Sequence, residues 1–233
     1  MIDLYALTSP NVQKIFIMLE ELGLPYNTTH VDVWKGENFH PEFLKINPNA
    51  KVPVIVDHEG PGGRPYTVTE SGAILIYLAE KTSRFLPRAG RERYDILQWL
   101  FLQVASIGPN FGQTTHFNRF APAGNDYSQS RFRSEATRLF ELLDHRLGES
   151  RAYLGGEIYS IADMATFPWA RGHAFMGLKV DHLPNLLRWL EDVGARPAVK
   201  KALDIVANIK TARDSAQPEV LDRLFGRGEF ARA

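Results

Sequence analysis

Near residue 83 the hydrophobic pattern of this chain changes period, and that change constrains the fold more than any other feature. Before it, apolar runs at 2–7, 26–33, 52–58 and 64–70 have the alternation and β-branched content of strands. Between them, Ile15, Met18, Leu19 and Leu22 recur at helical spacing over 11–23, and Gly23 and Pro25 follow as a C-cap and a stop. A short helix is expected at 41–46, and 70–82 reads as a helix with Ile74, Tyr77 and Leu78 on one face. The order β-α-β-(α)-β-β-α predicts an α/β unit of mixed sheet and helices over 1–82. After a turn-like linker at 83–91 come helical periods at 92–118, 128–149, 161–177, 183–194 and 198–210, an all-helical half. Gly108-Pro109 should kink or break the first of these, because proline lacks an N–H and clashes one turn back. Residues 211–233 form a polar tail with a modest apolar stripe over 220–225. At 233 residues and 44% hydrophobic, the chain can bury a core in each half.

With 27 basic and 27 acidic side chains the formal charge is zero, so no long-range field draws the protein to nucleic acid or an anionic membrane. An anion must be held locally. No basic segment followed by an apolar run opens the chain, and no stretch is long enough to span a bilayer, so a cytoplasmic protein is expected. The chain has no cysteine, which excludes a disulfide framework, a thiolate metal site and a protein-borne thiol nucleophile. Sulfur chemistry, if there is any, arrives with a ligand. The seven histidines lack metal-ligand spacing, so no metal is expected.

Three short stretches could carry chemistry. Thr8, Ser9 and Asn11 sit in a turn before the first helix, where hydroxyl and amide donors could stabilise a thiolate; the same residues also cap helices. Lys51-Val52-Pro53 enters a strand. A cis bond there would turn the Val52 backbone outward to pair with a peptide-like ligand, whereas a trans bond would make it an ordinary strand start. Glu70 and Ser71 open the apolar helix 70–82, where Ser71 and the first-turn amides suit a carboxylate and Glu70 an ammonium group; a plain helix cap is the alternative.

The order and spacing of these three stretches, followed by an all-helical half, resemble the cytosolic glutathione S-transferases over nearly the whole chain. The resemblance implies a thioredoxin-like N-terminal domain with a C-terminal helical bundle, a cis Pro53, and Glu70-Ser71 on the γ-glutamyl end of glutathione. It extends to Ser160-Ile161-Ala162-Asp163, which looks like the family's structural capping box. Within the family, the Ser9-Pro10-Asn11 turn, "KINPNAKVPVIVD" and "ESGAILIYLAEKT" are most similar to the bacterial Nu-class enzymes and their fungal relatives. Those have a Thr-Pro-Asn turn; here Ser9 stands in the threonine's place and Val12 in that of a usual glycine, leaving open whether Thr8 or Ser9 faces the sulfur.

By the same resemblance, two glutathione molecules or one oxidised glutathione occupy the site. Asn38, Lys51 and Val52 contact the first and Arg131 reaches the second, and the chain pairs as a homodimer. The implied activity is glutathione-dependent reduction of a small-molecule disulfide. Conjugation of an electrophile, or reduction of a hydroperoxide, in a pocket lined by Phe111, His116, Phe117 and Phe120 is the second enzymatic reading. A non-catalytic, regulatory glutathione-binding protein is a reading of another class.

Overall fold

The computed structural model describes residues 1–149 and 151–231, which group into two compact units, residues 1–74 with 201–233 and residues 75–200. The pattern change put the linker at 83–91 and left 211–233 outside both domains. In the structure those last residues group with the first unit.

The first unit is built on a four-stranded sheet of order β2-β1-β3-β4, formed by β1 (Ile2–Ala6), β2 (Tyr26–His30), β3 (Val54–Asp57) and β4 (Tyr66–Thr69). β1 runs parallel to β2 and antiparallel to β3, and β4 is antiparallel to β3. Alternation along β1 buries Ile2, Leu4 and Ala6. α1 (Pro10–Leu22) links β1 to β2; Ser9 caps it, Pro10 occupies its first turn, and Gly23 ends it at φ 66°, a conformation glycine adopts without strain. β2 stops at His30, short of the expected 33, because the Asp32 carboxylate accepts the Trp34 N–H at 3.1 Å and starts a tight turn. α2 (Pro41–Ile46) and α3 (Ser71–Thr82) lie where the periodicity put them.

The tail has a defined place. The Ala212 N–H donates to the second oxygen of the buried Asp32 carboxylate at 2.8 Å. α10 (Pro218–Phe225) sets Phe225 against Trp34, with ring centroids 6.4 Å apart, and Arg223 over Phe39 at 4.0 Å. The polar tail thus covers residues 32–39, the stretch that contains Asn38.

The second unit is helical: α4 (Arg91–Leu102), α5 (Gly108–Arg119), α6 (Asp126–Gly148), α7 (Ile161–Ala170), α8 (Pro184–Ala195) and the start of α9 (Pro197–Ala207). Gly108-Pro109 does not break the chain's helical course. A π-helical segment, Gln103–Ile107, joins α4 to α5, and Pro109 falls in the first turn of α5, where its missing N–H has less to satisfy. α7 ends at Ala170 instead of running to 177. Beyond it, Gly172 and His173 make i→i+3 bonds to Trp169 and Ala170, and Gly177 takes φ 72°. Ser160 and Asp163 form the expected capping box, and Asp163 also accepts the Leu154 N–H and Trp189 Nε1, each at 3.0 Å. Among the described residues no helix is long and apolar enough to cross a membrane.

Candidate active site

The three stretches singled out in the sequence are tied together within the first unit by hydrogen bonds. In the first, Ser9 Oγ accepts the Val12 N–H at 3.4 Å, so it does cap α1; the hydroxyl proton is left for a second partner. Gln13 Nε2 donates to the Thr8 carbonyl at 3.0 Å and holds the turn against the helix. Thr8 and Asn11 are half-buried and Ser9 is exposed.

The Val52–Pro53 peptide is cis, as the resemblance implies. Two buried asparagines shape the loop before it. Asn47 donates to the Lys51 carbonyl at 2.7 Å and accepts the Asn49 N–H at 3.0 Å, while Asn38 donates to the Ala50 carbonyl at 3.0 Å. Asn38 is only 2% exposed, and its carbonyl oxygen has no partner among the described residues. Its bond to Ala50 braces the loop before the cis proline. Val52 packs its side chain against Val31, Phe43 and Val54, and its amide and carbonyl are unpaired in the turns and loops of the described residues. Lys51 is exposed.

Glu70 stands at the head of α3 with φ 64° and accepts Asn49 Nδ2 at 3.4 Å, which joins the loop before the second stretch to the third. Ser71 is buried in the first turn of α3, where backbone N–H groups have no helical acceptor. Its Oγ accepts a hydrogen bond from Lys14 Nζ at 3.2 Å. Because Lys14 is on α1, this bond links the third stretch to the helix that carries the first.

Sequence reasoning missed Lys14. The side chain is 1% exposed, on a helix whose buried residues run Val12, Lys14, Ile15, Phe16, Ile17, Met18 and Leu19. The available signal was a lysine directly before the apolar run 15–19, four residues before Met18. Burial pulls its ammonium down to about 7, and the Glu70 carboxylate offsets part of that.

Arg131 lies exposed on α6 in the second unit. In that unit Phe111 is fully buried and stacked on Phe140 at 4.5 Å, as a helix-packing residue is. Phe117 stacks on Phe132 at 5.3 Å and remains partly exposed.

A sheet of this topology followed by a helical unit, with a cis proline at the entry to β3, defines a class. The glutathione S-transferase N-terminal domain model matches residues 8–81 and the C-terminal domain model matches 110–197. The chain belongs to the glutathione S-transferase family. It is 48% identical to the disulfide-bond oxidoreductase YfcG of Escherichia coli K12, an alignment covering 87% of this chain and 94% of that protein. The disulfide-bond oxidoreductase YghU of the same organism is 39% identical, over 86% of this chain and 73% of that one. Among solved structures, a glutathione transferase family member from Pseudomonas fluorescens Pf-5 with two glutathione bound superposes with a TM-score of 0.82 at 44% identity, covering 87% and 92% of the two chains. A Pseudomonas putida glutathione transferase with one glutathione disulfide bound per subunit gives a TM-score of 0.82 at 40% identity, covering 88% and 91%.

Proposed function

We propose that this protein is a glutathione-dependent disulfide-bond reductase that works entirely with thiols borrowed from glutathione. The observation that carries this reading is the absence of cysteine in a chain whose relatives include YfcG and YghU, both named disulfide-bond oxidoreductases. Solved relatives that hold two glutathione molecules or one glutathione disulfide supply the matching stoichiometry.

The exchange runs in two steps. The thiolate of one glutathione attacks a sulfur of the substrate disulfide, forming a mixed disulfide and expelling one substrate thiolate, which takes up a proton. The second glutathione thiolate then attacks the glutathionyl sulfur, releasing the other substrate thiol and leaving oxidised glutathione. Two electrons pass from two glutathione molecules to one disulfide. The protein's contribution is to hold the thiols close and stabilise the attacking anion.

Each stretch has a role in this scheme. Asn11 and a hydroxyl of Ser9 or Thr8 donate to the attacking sulfur. A free thiol near pKa ~8.5 is mostly protonated at neutral pH, and each unit of lowering needs about 1.4 kcal/mol of preferential thiolate stabilisation. The Val52 backbone, beside the cis Pro53, pairs with the cysteinyl portion, Lys51 and Asn38 contact the same glutathione, and Asn38 also braces the loop. Ser71 and the first amides of α3 hold the γ-glutamyl carboxylate, and Glu70 pairs with its ammonium group. Arg131 serves the second glutathione. Residues 1–82 form the thioredoxin-like domain and 92–210 the helical one, in a cytoplasmic homodimer of the kind the family forms.

Ser71→Ala tests the glutamyl assignment. It removes one buried donor to an anion, so the dissociation constant for glutathione should rise about tenfold or more in calorimetric titration. Unchanged affinity would put the glutamyl end elsewhere. Competition between substrates tests the reaction: 2-hydroxyethyl disulfide should outrun 1-chloro-2,4-dinitrobenzene and hydroperoxides. The reverse order would make the protein a conjugating transferase or peroxidase. Binding without turnover on any of the three would make it a regulatory protein.

A further inference from the structure

The polar tail docks on one stretch of the first unit, residues 32–39, through contacts that can open. A buried carboxylate must be supplied with donors, and Asp32 takes the Trp34 N–H on one oxygen at 3.1 Å and the Ala212 N–H on the other at 2.8 Å. Further along, α10 adds the ring contact of Phe225 with Trp34 and the cation–π contact of Arg223 with Phe39. No side chain of α10 is fully buried. A segment held by so little buried apolar surface belongs to the low-stability end of a fold, where opening costs far less than global unfolding.

The stretch under the tail is also the one that carries Asn38. The Glu37 carboxylate accepts the Asp32 N–H at 2.7 Å, the Phe39 N–H bonds the Gly36 carbonyl at 2.9 Å, and Asn38 lies buried between Glu37 and Phe39. From there Asn38 donates to the Ala50 carbonyl at 3.0 Å. Ala50 holds φ 54°, a left-handed conformation that is unfavourable for alanine and persists only where its neighbours impose it. Asn38 acts on its carbonyl, and the Asn47 carbonyl accepts its N–H at 3.0 Å. Val52 follows two residues later. A continuous set of contacts therefore runs from α10 to the 32–39 turn, and from Asn38 in that turn to the loop before the cis proline.

We propose that residues 212–230 are a strap for the glutathione site. Docked, the strap holds the 32–39 turn and, through Asn38, keeps residues 50–52 in the form that pairs with the cysteinyl portion of glutathione; open, it releases them. This rests on the glutathione reading above and deepens it. The strap touches no ligand atom in this scheme and acts by positioning. Docking and binding are then linked, and the linkage is reciprocal: the factor by which docking tightens glutathione is the factor by which glutathione favours docking.

Hydrogen–deuterium exchange of the full chain, read on peptides covering 212–225, should slow about threefold or more when glutathione saturates the site. The double substitution Arg223→Ala with Phe225→Ala removes the cation–π and ring contacts and leaves the turn itself intact. It should raise the dissociation constant for glutathione about three- to tenfold in calorimetric titration, raise KM for glutathione by a similar factor, and leave kcat within about twofold. That split between KM and kcat separates positioning from a general loss of folded protein. The wild-type exchange result decides the matter even if the variant folds poorly. Glutathione bound by the wild type with exchange over 212–225 unchanged would overturn the proposal and leave the glutathione site standing. A folded variant that binds glutathione as the wild type does would overturn it in the same way. No glutathione binding by the wild type would overturn both.

Discussion

Asn11→Ala should lower disulfide turnover about ten- to a hundredfold while leaving glutathione affinity within about threefold. Asn11 lies in the first turn of α1, beside the Ser9 cap, whereas the groups assigned to the γ-glutamyl end lie at the head of α3. An amide that stabilises a sulfur anion contributes to the reacting thiolate and little to the anchored end of the tripeptide, so its loss falls on kcat. The pH–rate profile should move with it, with the acidic limb rising toward the ordinary thiol range as the bound sulfur loses a donor. Unchanged turnover would shift the thiolate role to Thr8 or Ser9. Loss of binding and turnover together would make Asn11 an anchor.

Asp163→Ala should destabilise the helical unit by about 3 kcal/mol or more, read as a lowered thermal or denaturant midpoint. The carboxylate is fully buried and accepts four donors: the Leu154 N–H and Trp189 Nε1 on one oxygen, the Ser160 N–H and Oγ on the other, each at 3.0 Å. Alanine would strand those donors in a water-free interior, and it would also unfasten α8 from α7, since Trp189 is carried by α8. Burial pushes the Asp163 carboxyl up, and the four donors oppose that shift. Asp163→Asn keeps the shape and one accepting oxygen, and should recover part of the loss. A midpoint unchanged by Asp163→Ala would mean these bonds contribute nothing net.

What could be read from the sequence was whatever local rules decide. The Ser9 cap, the Gly23 stop, the Ser160–Asp163 box and the switch from strands to helices each depend on residues close in the chain, and each has its counterpart in the structure. The misses depend on distant partners. β2 ends early because Asp32 is committed to Trp34 and to Ala212, 180 residues away. α7 stops at Ala170, where the chain takes up tight turns that its apolar spacing did not disclose. Gly108-Pro109 was legible as a disturbance, yet not as a π-helical segment, because the remedy depends on how α4 and α5 continue. Lys14 was missed for a related reason. A lysine in an amphipathic pattern reads as the solvent edge, and only the fold brings it to Ser71, 57 residues on. Asn38 was singled out by the family resemblance, but its buried bond to Ala50 was not legible.

On the reading proposed above, a chain without cysteine reduces disulfides with thiols it borrows. Steady-state reduction of 2-hydroxyethyl disulfide by the purified protein, with glutathione as the sole thiol and glutathione reductase recycling the product, tests it most directly. Saturable turnover well above the uncatalysed exchange is expected, with one oxidised glutathione formed per disulfide consumed. A rate no greater than that of glutathione alone, from protein that binds glutathione, would contradict it.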